Sequence, residues 1–143
     1  MTNSIQVMTY HDILLSVRRG TYKGTVVNAK PLLLITIIHA IELLQLNDNK
    51  IYFVKSLEDI YKETCIRYNF PITPFFKPFY YLSYENFWHL KWKTEAYNEQ
   101  HPSSRFIREN IEYAYLDNTL WDILQDKTMR DYFRKSIEDY YLK

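Results

Sequence analysis

From Pro31 to Leu46 the chain reads PLLLITIIHAIELLQL, a segment that is apolar on nearly every side of a helical projection. A helix without a polar face has to be enclosed by other elements. The remainder of the chain is therefore expected to wrap around this one, with Pro31 in its first turn. His39, Glu42 and Gln45 interrupt the run, which is too short and too polar to span a bilayer. A buried core helix follows, and no membrane association is expected.

A chain of 143 residues, nearly half of them apolar and only 2 of them glycine, suits a single domain over 1–143 that can bury enough surface to offset chain entropy. Cys65 is the only cysteine, so no internal disulfide forms and a Cys/His zinc site lacks its thiolates. Met1 to Tyr10 has neither the charged start nor the apolar stretch of a secretory signal, and a reducing cytoplasm is the expected location. A formal net charge of +1 supplies no global attraction to a polyanion. The local distribution is more informative. Arg18, Arg19, Lys23 and Lys30 precede Pro31 against the single acid Asp12, whereas the segment after Leu116 is rich in Asp and Glu.

Flanking elements follow from caps and periodicity. Thr9 with Asp12 has the form of a capping box, and Ile13, Leu14 and Val17 continue a short helix to Gly20. Thr21 to Ala29 reads as an exposed loop, and the core helix follows it to about Leu46. Asn47, Asp48 and Asn49 turn the chain into a short strand, Ile51 to Val54. Ser56 with Asp59 then predicts a helix whose buried stripe is Leu57, Ile60, Tyr61, Cys65 and Tyr68, ended by Pro71 and Pro74. Phe79 to Ser83 and Phe87 to Trp92 are β-prone runs around Tyr84, Glu85 and Asn86, expected to pair as a hairpin. Ser103 or Ser104, Asn118 and Asp126 are positioned to start three C-terminal helices, the last burying Met129, Phe133, Ile137 and Tyr140 or Tyr141. The fold class expected is α+β, mainly α: a winged-helix-like body with a short strand and a β-hairpin, followed by C-terminal helices.

Catalysis needs titratable groups converging on one point. His11, His39, His89 and His101 are far apart, and HExxH, a glycine-rich phosphate loop and GxSxG are all missing. No catalytic residue, metal site or cofactor is therefore expected. Three features fit binding instead. Cations on the Arg18 to Lys30 segment can neutralise phosphates, or simply solvate a loop. Within the hairpin, alternation sends Trp88, Leu90 and Trp92 inward and Phe87, His89, Lys91 and Lys93 to the other face, which gives either a basic wing or an ordinary polar face. The Pro71 to Pro78 loop carries Phe75, Phe76 and Lys77; the two phenylalanines are expected to tuck into the core.

Three segments in order carry a resemblance. Ala29-Lys30-Pro31-Leu32-Leu33-Leu34 comes first, then Lys77-Pro78-Phe79-Tyr80-Tyr81-Leu82 leading to Phe87-Trp88-His89-Leu90. Arg108 to Asp117, followed by Leu120-Trp121, is the third. Together they resemble the non-catalytic DNA-binding domain of McrA-type HNH restriction endonucleases, enzymes that recognise phosphorothioate-modified DNA, over roughly Thr9 to Leu142. The resemblance implies a sulfur-binding domain in which a surface cup, lined by a proline ring at Pro78, receives the backbone sulfur. Arg19, Lys23 and Lys30 would hold the flanking phosphates. This chain departs from that pattern in carrying Lys77 where the family has an aromatic residue and Tyr81 where it has a small one, and a tyrosine there can fill the cup. The HNH half is absent from these residues: either it was lost, or a separate nuclease chain supplies the cutting.

The expected function is that of a DNA-binding module within a restriction-endonuclease-like system. Double-stranded DNA, including phosphorothioate-modified DNA, would be the ligand, and the contact residues would be Arg18, Arg19, Lys23, Lys30, Lys77, Pro78, Tyr81, His89, Lys91 and Lys93. A different class of function also fits, because 14 tyrosines give a surface suited to protein partners. In that case the domain descends from such a module and docks onto a nuclease or toxin.

Overall fold

The apolar segment forms α2 (Ala29–Glu42), along which Leu33, Ile35, Ile37 and Ala40 are at most 1% exposed. The structure, a computed structural model, describes residues 3–143, so the first two residues of the Met1 to Tyr10 stretch lie outside it. Pro31 sits in the first turn of α2, where its missing N–H removes no intrahelical bond. The helix stops at Glu42 rather than near Leu46, because Leu44 turns left-handed at φ 59° and the amides of Gln45 and Leu46 both fold back onto the Ala40 carbonyl. That turn uses neither glycine nor proline, the usual markers of a helix end.

Upstream of α2, α1 (Ser4–Leu14) starts nearly two turns earlier than expected and ends at Leu14, well before Gly20. Asn3 accepts from the Gln6 amide at 2.8 Å and the Gln6 side chain accepts from the Asn3 amide at 3.2 Å, a reciprocal cap. Thr9, the start read from the sequence, lies inside the helix and donates its hydroxyl hydrogen to the Ile5 carbonyl. The segment read as a loop contains a miniature hairpin, β1 (Thr21–Tyr22) with β2 (Thr25–Val26), turning through Lys23 at φ 52° and Gly24 at φ 80°. Two consecutive positive φ values give the turn whose twist matches paired strands. All four strand residues are exposed.

Downstream, α3 (Lys55–Arg67) packs against α2 and buries Leu57, Ile60, Tyr61, Thr64 and Cys65. Its start is also corrected, since Asp59 ion-pairs with Lys55 at 3.0 Å instead of capping from a Ser56 box.

The expected hairpin of Phe79 to Ser83 with Phe87 to Trp92 does not form, and Phe87, expected on its outward face, is buried. Phe76–Tyr81 is a helix, α4, continued by one 3-10 turn over Leu82–Tyr84, so the first half of the expected wing is not a strand. Aromatic residues favour strands only when the neighbouring surface suits a pleat. Here Pro78, Phe79, Tyr80 and Leu82 are buried, α4 lies against α2, and Pro78 falls in the first turn. The second half is a strand, β3 (Trp88–Trp92), but its partner lies beyond α5 (Ser104–Asn110) in β4 (Ile111–Leu116). The register pairs Trp88 with Leu116, Leu90 with Ala114 and Lys91 with Tyr113; a bulge then brings Trp92 opposite Ile111 and leaves Glu112 as the extra residue. On the other edge of β4, Ile51 exchanges both backbone hydrogen bonds with Ala114, at 2.7 and 2.8 Å. The expected strand from Ile51 to Val54 is reduced to this single bridge.

The remaining helices agree more closely with the sequence. Ser103 caps α5 through the Phe106 amide, α6 spans Asn118–Ile123, and Asp126 caps α7 (Lys127–Tyr141) through the Met129 amide. Phe133, Ile137 and Tyr141 are buried, while Tyr140 is 61% exposed. Among the described residues, seven α-helices and two short antiparallel ladders make an α+β fold that is mainly α.

Candidate nucleic-acid interface

Four of the basic side chains singled out from the sequence, Arg18, Arg19, Lys30 and Lys93, are engaged by acceptors of the protein itself. Lys30 and Arg18 both turn to Glu85, whose carboxylate accepts from Lys30 Nζ at 2.9 Å and lies 3.5 Å from Arg18 Nε. Arg18 also donates from Nη2 to the Tyr84 carbonyl at 2.6 Å. The side chains of Lys30 and Glu85 are only 15% and 10% exposed, so this pair fastens the start of α2 to the turn before β3. Arg19 donates to Asn28 Oδ1 at 2.9 Å and its guanidinium lies 4.8 Å over the Tyr141 ring. Lys93 donates from Nζ to the Arg108 carbonyl at 2.7 Å near the end of α5, a favourable place for a cation. Lys23 stands at the tip of the β1–β2 turn, 5.4 Å over Tyr22, and Lys77 is exposed on α4.

The place assigned to a sulfur cup differs from expectation. Pro78 is buried, and Tyr81 packs edge-on against Tyr80 and Tyr84, with centroids 5.4 and 5.6 Å apart. The proline ring therefore offers no open apolar surface to a ligand in this conformation.

His89 and Lys91 do belong to a common surface. Residues Trp88, Leu90, Ala114 and Leu116 of the β3–β4 ladder, together with Ile51, face the core, so the alternating residues His89, Lys91, Tyr113 and Tyr115 face outward. Lys50 and Tyr52, on either side of Ile51, extend the same face. Its rings form a row: Tyr52 to Tyr113 at 5.6 Å, Tyr113 to Tyr115 at 6.1 Å, and Tyr115 to His89 at 5.1 Å. Lys50 Nζ stands 5.6 Å over Tyr113, and Lys91 is the cross-strand neighbour of that residue.

One end of the row is fixed from below. His89 Nε2 donates to Asp117 Oδ1 at 2.5 Å, and the Tyr10 hydroxyl donates to Asp117 Oδ2 at 2.6 Å, tying α1 to the sheet. Burial, and then the Asp117 hydrogen bond and charge, push the Tyr10 phenol from its ordinary value of 10.0 up to about 12. Burial also pushes Tyr141 up to about 12; its hydroxyl donates to the Leu14 carbonyl and accepts from the Val17 amide. Both phenols are held neutral by the fold, so their stabilisation is complete below the unfolded value near 10 and is lost as pH rises through about 12. We expect urea midpoints to fall across that window, and to fall less in Tyr10→Phe. An ultraviolet phenolate titration with every tyrosine ionising near its ordinary value would refute this.

No protein-family profile matches the sequence, and no curated protein matches it.

The outward face therefore has to be interpreted from its own chemistry. Tyr52, Tyr113, Tyr115 and Lys50 were not singled out from the sequence. The alternation of Tyr113 and Tyr115 in Ile111 to Leu116 is a strand signal that the helix starts at Ser103 and Asn118 on either side obscure. Among the described residues, no group of three or more His, Cys, Asp or Glu is placed to hold a metal ion. Among the same residues, no helix is long and apolar enough to cross a membrane.

Proposed function

We propose that this chain is a DNA-binding module and that the outward face of β3–β4 carries the contact. The supporting observation is that Lys50 and Lys91, from distant parts of the chain, flank one continuous row of rings that includes His89. Lysines neutralise phosphates and release counterions, whereas amphipathic rings supply contact area at little cost in side-chain entropy. The basic segment before α2 contributes less, because Glu85 already engages Arg18 and Lys30.

The test is an anisotropy titration of labelled duplexes, unmodified and phosphorothioate-substituted, at several salt concentrations. We expect binding that weakens with salt, and a log–log slope smaller by about one for each of Lys91→Ala and Lys50→Ala. Tighter binding of the phosphorothioate duplex would support the modified-DNA form of the proposal. Unchanged slopes in both variants would remove this face from it.

A second reading, a domain that docks onto a nuclease or toxin, has one observation in its favour. A groove of about 760 Å³ between α1, α6 and α7 is lined by Val7, Met8, Ile123, Met129 and Tyr132, with Asp122 and Asp126 also on its walls. Met8 and the neighbouring Ile5 are 64% and 74% exposed. Such a groove suits the apolar stripe of a basic amphipathic helix. Met8→Asp would abolish such docking and leave DNA binding intact.

A further inference from the structure

We infer that the nucleic acid taken by the β3–β4 face is unpaired, with bases lying on the row Tyr52, Tyr113, Tyr115 and His89; this rests on the nucleic-acid reading of the same face. The rings carry the argument. A duplex keeps its bases stacked inside and offers a flat protein surface mainly phosphates, which lysines alone can hold. Exposed aromatic rings contribute most to nucleic-acid affinity when unpaired base faces can stack on them. Here Tyr52 and Tyr115 are 44% and 36% exposed, and consecutive ring centroids are 5.1 to 6.1 Å apart along one face.

The shape of the sheet favours the same ligand. A two-stranded ribbon can enter a major groove when it projects from the body. β4 cannot project in this way, because β3 is bonded along one edge and Ile51 along the other. The surface is instead a broad sheet face, on which neighbouring rings are inclined to one another by 36° to 63°. Lys50 over Tyr113 and Lys91 opposite it place positive charge beside the middle of the row, where the backbone of a strand lying across the rings would pass. His89 is anchored through Asp117, so one end is set before any ligand arrives.

The experiment is a fluorescence-anisotropy titration of the full chain with labelled oligothymidine, oligouridine and a DNA duplex of the same length, in one buffer. We expect the single strands to bind more tightly than the duplex, and Tyr115→Ala and Tyr52→Ala each to weaken them roughly five- to 150-fold with the salt slope unchanged. Tyr115→Phe should retain the affinity, since the ring face is kept. Oligodeoxyuridine beside oligouridine, a pair that differs only at the 2′ position, assigns the sugar. Both substitutions lie at exposed positions, and circular dichroism of each variant checks that the fold is intact. Duplex binding as tight as single-strand binding, or alanine variants that hold oligothymidine normally, would overturn this inference while leaving the DNA-binding proposal standing. Failure of every oligonucleotide to bind would overturn both.

Discussion

Trp88→Ala is expected to destabilise the protein by about 3–5 kcal/mol, a substantial share of the 5–15 kcal/mol typical of a whole domain. Trp88 is 0% exposed on the inward face of β3, and its ring meets Phe79 edge-on at 5.8 Å and 87°. Phe79 continues the contact to Phe53 and Phe75, which stack on each other at 5.0 Å. Truncation would open a cavity in the middle of this cluster, between elements already fixed by α2. The indole also donates from Nε1 to the Phe79 carbonyl at 3.0 Å, which ties β3 to the helix that precedes it. Trp88→Phe keeps an aromatic ring but loses that donor, so a smaller loss of about 1–3 kcal/mol is expected. Urea denaturation followed by far-ultraviolet circular dichroism measures both. A Trp88→Ala midpoint within error of wild type would mean that this cluster does not hold the sheet. Because His89 and Lys91 lie on the opposite face of the same strand, Trp88→Phe should still bind oligonucleotide wherever it remains folded.

What could be read from the sequence was local. The enclosure of α2 followed from a helix with no polar side, and the Ser103 and Asp126 caps followed from side chains that bond an amide three residues away. The stripe on α3 followed from its period, with Tyr68 only half-buried at its end. The inward tryptophan of β3 followed from alternation. What failed depended on distant partners. Phe79 to Tyr81 has the composition of a strand but lies on α2, and a helix brings Pro78, Phe79 and Tyr80 together against it. The true partner of β3 begins at Ile111, beyond a helix, and pattern alone does not choose between pairing partners at that separation. The site was missed for the same reason. Lys50, Tyr52, Lys91, Tyr113 and Tyr115 come from three separate stretches, and only the strand register makes them neighbours.

Charge pairing was equally hidden. Arg18 and Lys30 look in the sequence like part of one basic cluster, since Glu85 is far along the chain. In the fold, the Glu85 carboxylate lies between them, and it encloses Lys30 while Arg18 stays largely exposed. A positive segment in the sequence and a positive surface are different objects.

Glu85→Ala provides the means of telling them apart. It is expected to lower stability by about 3 kcal/mol, the lower end of what breaking a buried pair produces, because it leaves Lys30 nearly enclosed without its counter-charge while Arg18 can turn to solvent. Lys30→Met should be milder, since Glu85 retains the Arg18 guanidinium and amide as partners. The double variant Glu85→Ala with Lys30→Met should recover part of the loss, and a double-mutant cycle by urea denaturation would give a coupling above about 1 kcal/mol. Additive effects would show that the pair does not act as a strut. The same proteins decide between two locations for the phosphate contacts. If the basic segment binds nucleic acid, Glu85→Gln releases two cations and raises both affinity and salt slope. If the sheet face does, Glu85→Gln leaves both unchanged while Lys91→Ala lowers them, the result we expect because Lys91 is already exposed beside the rings and Lys30 is not.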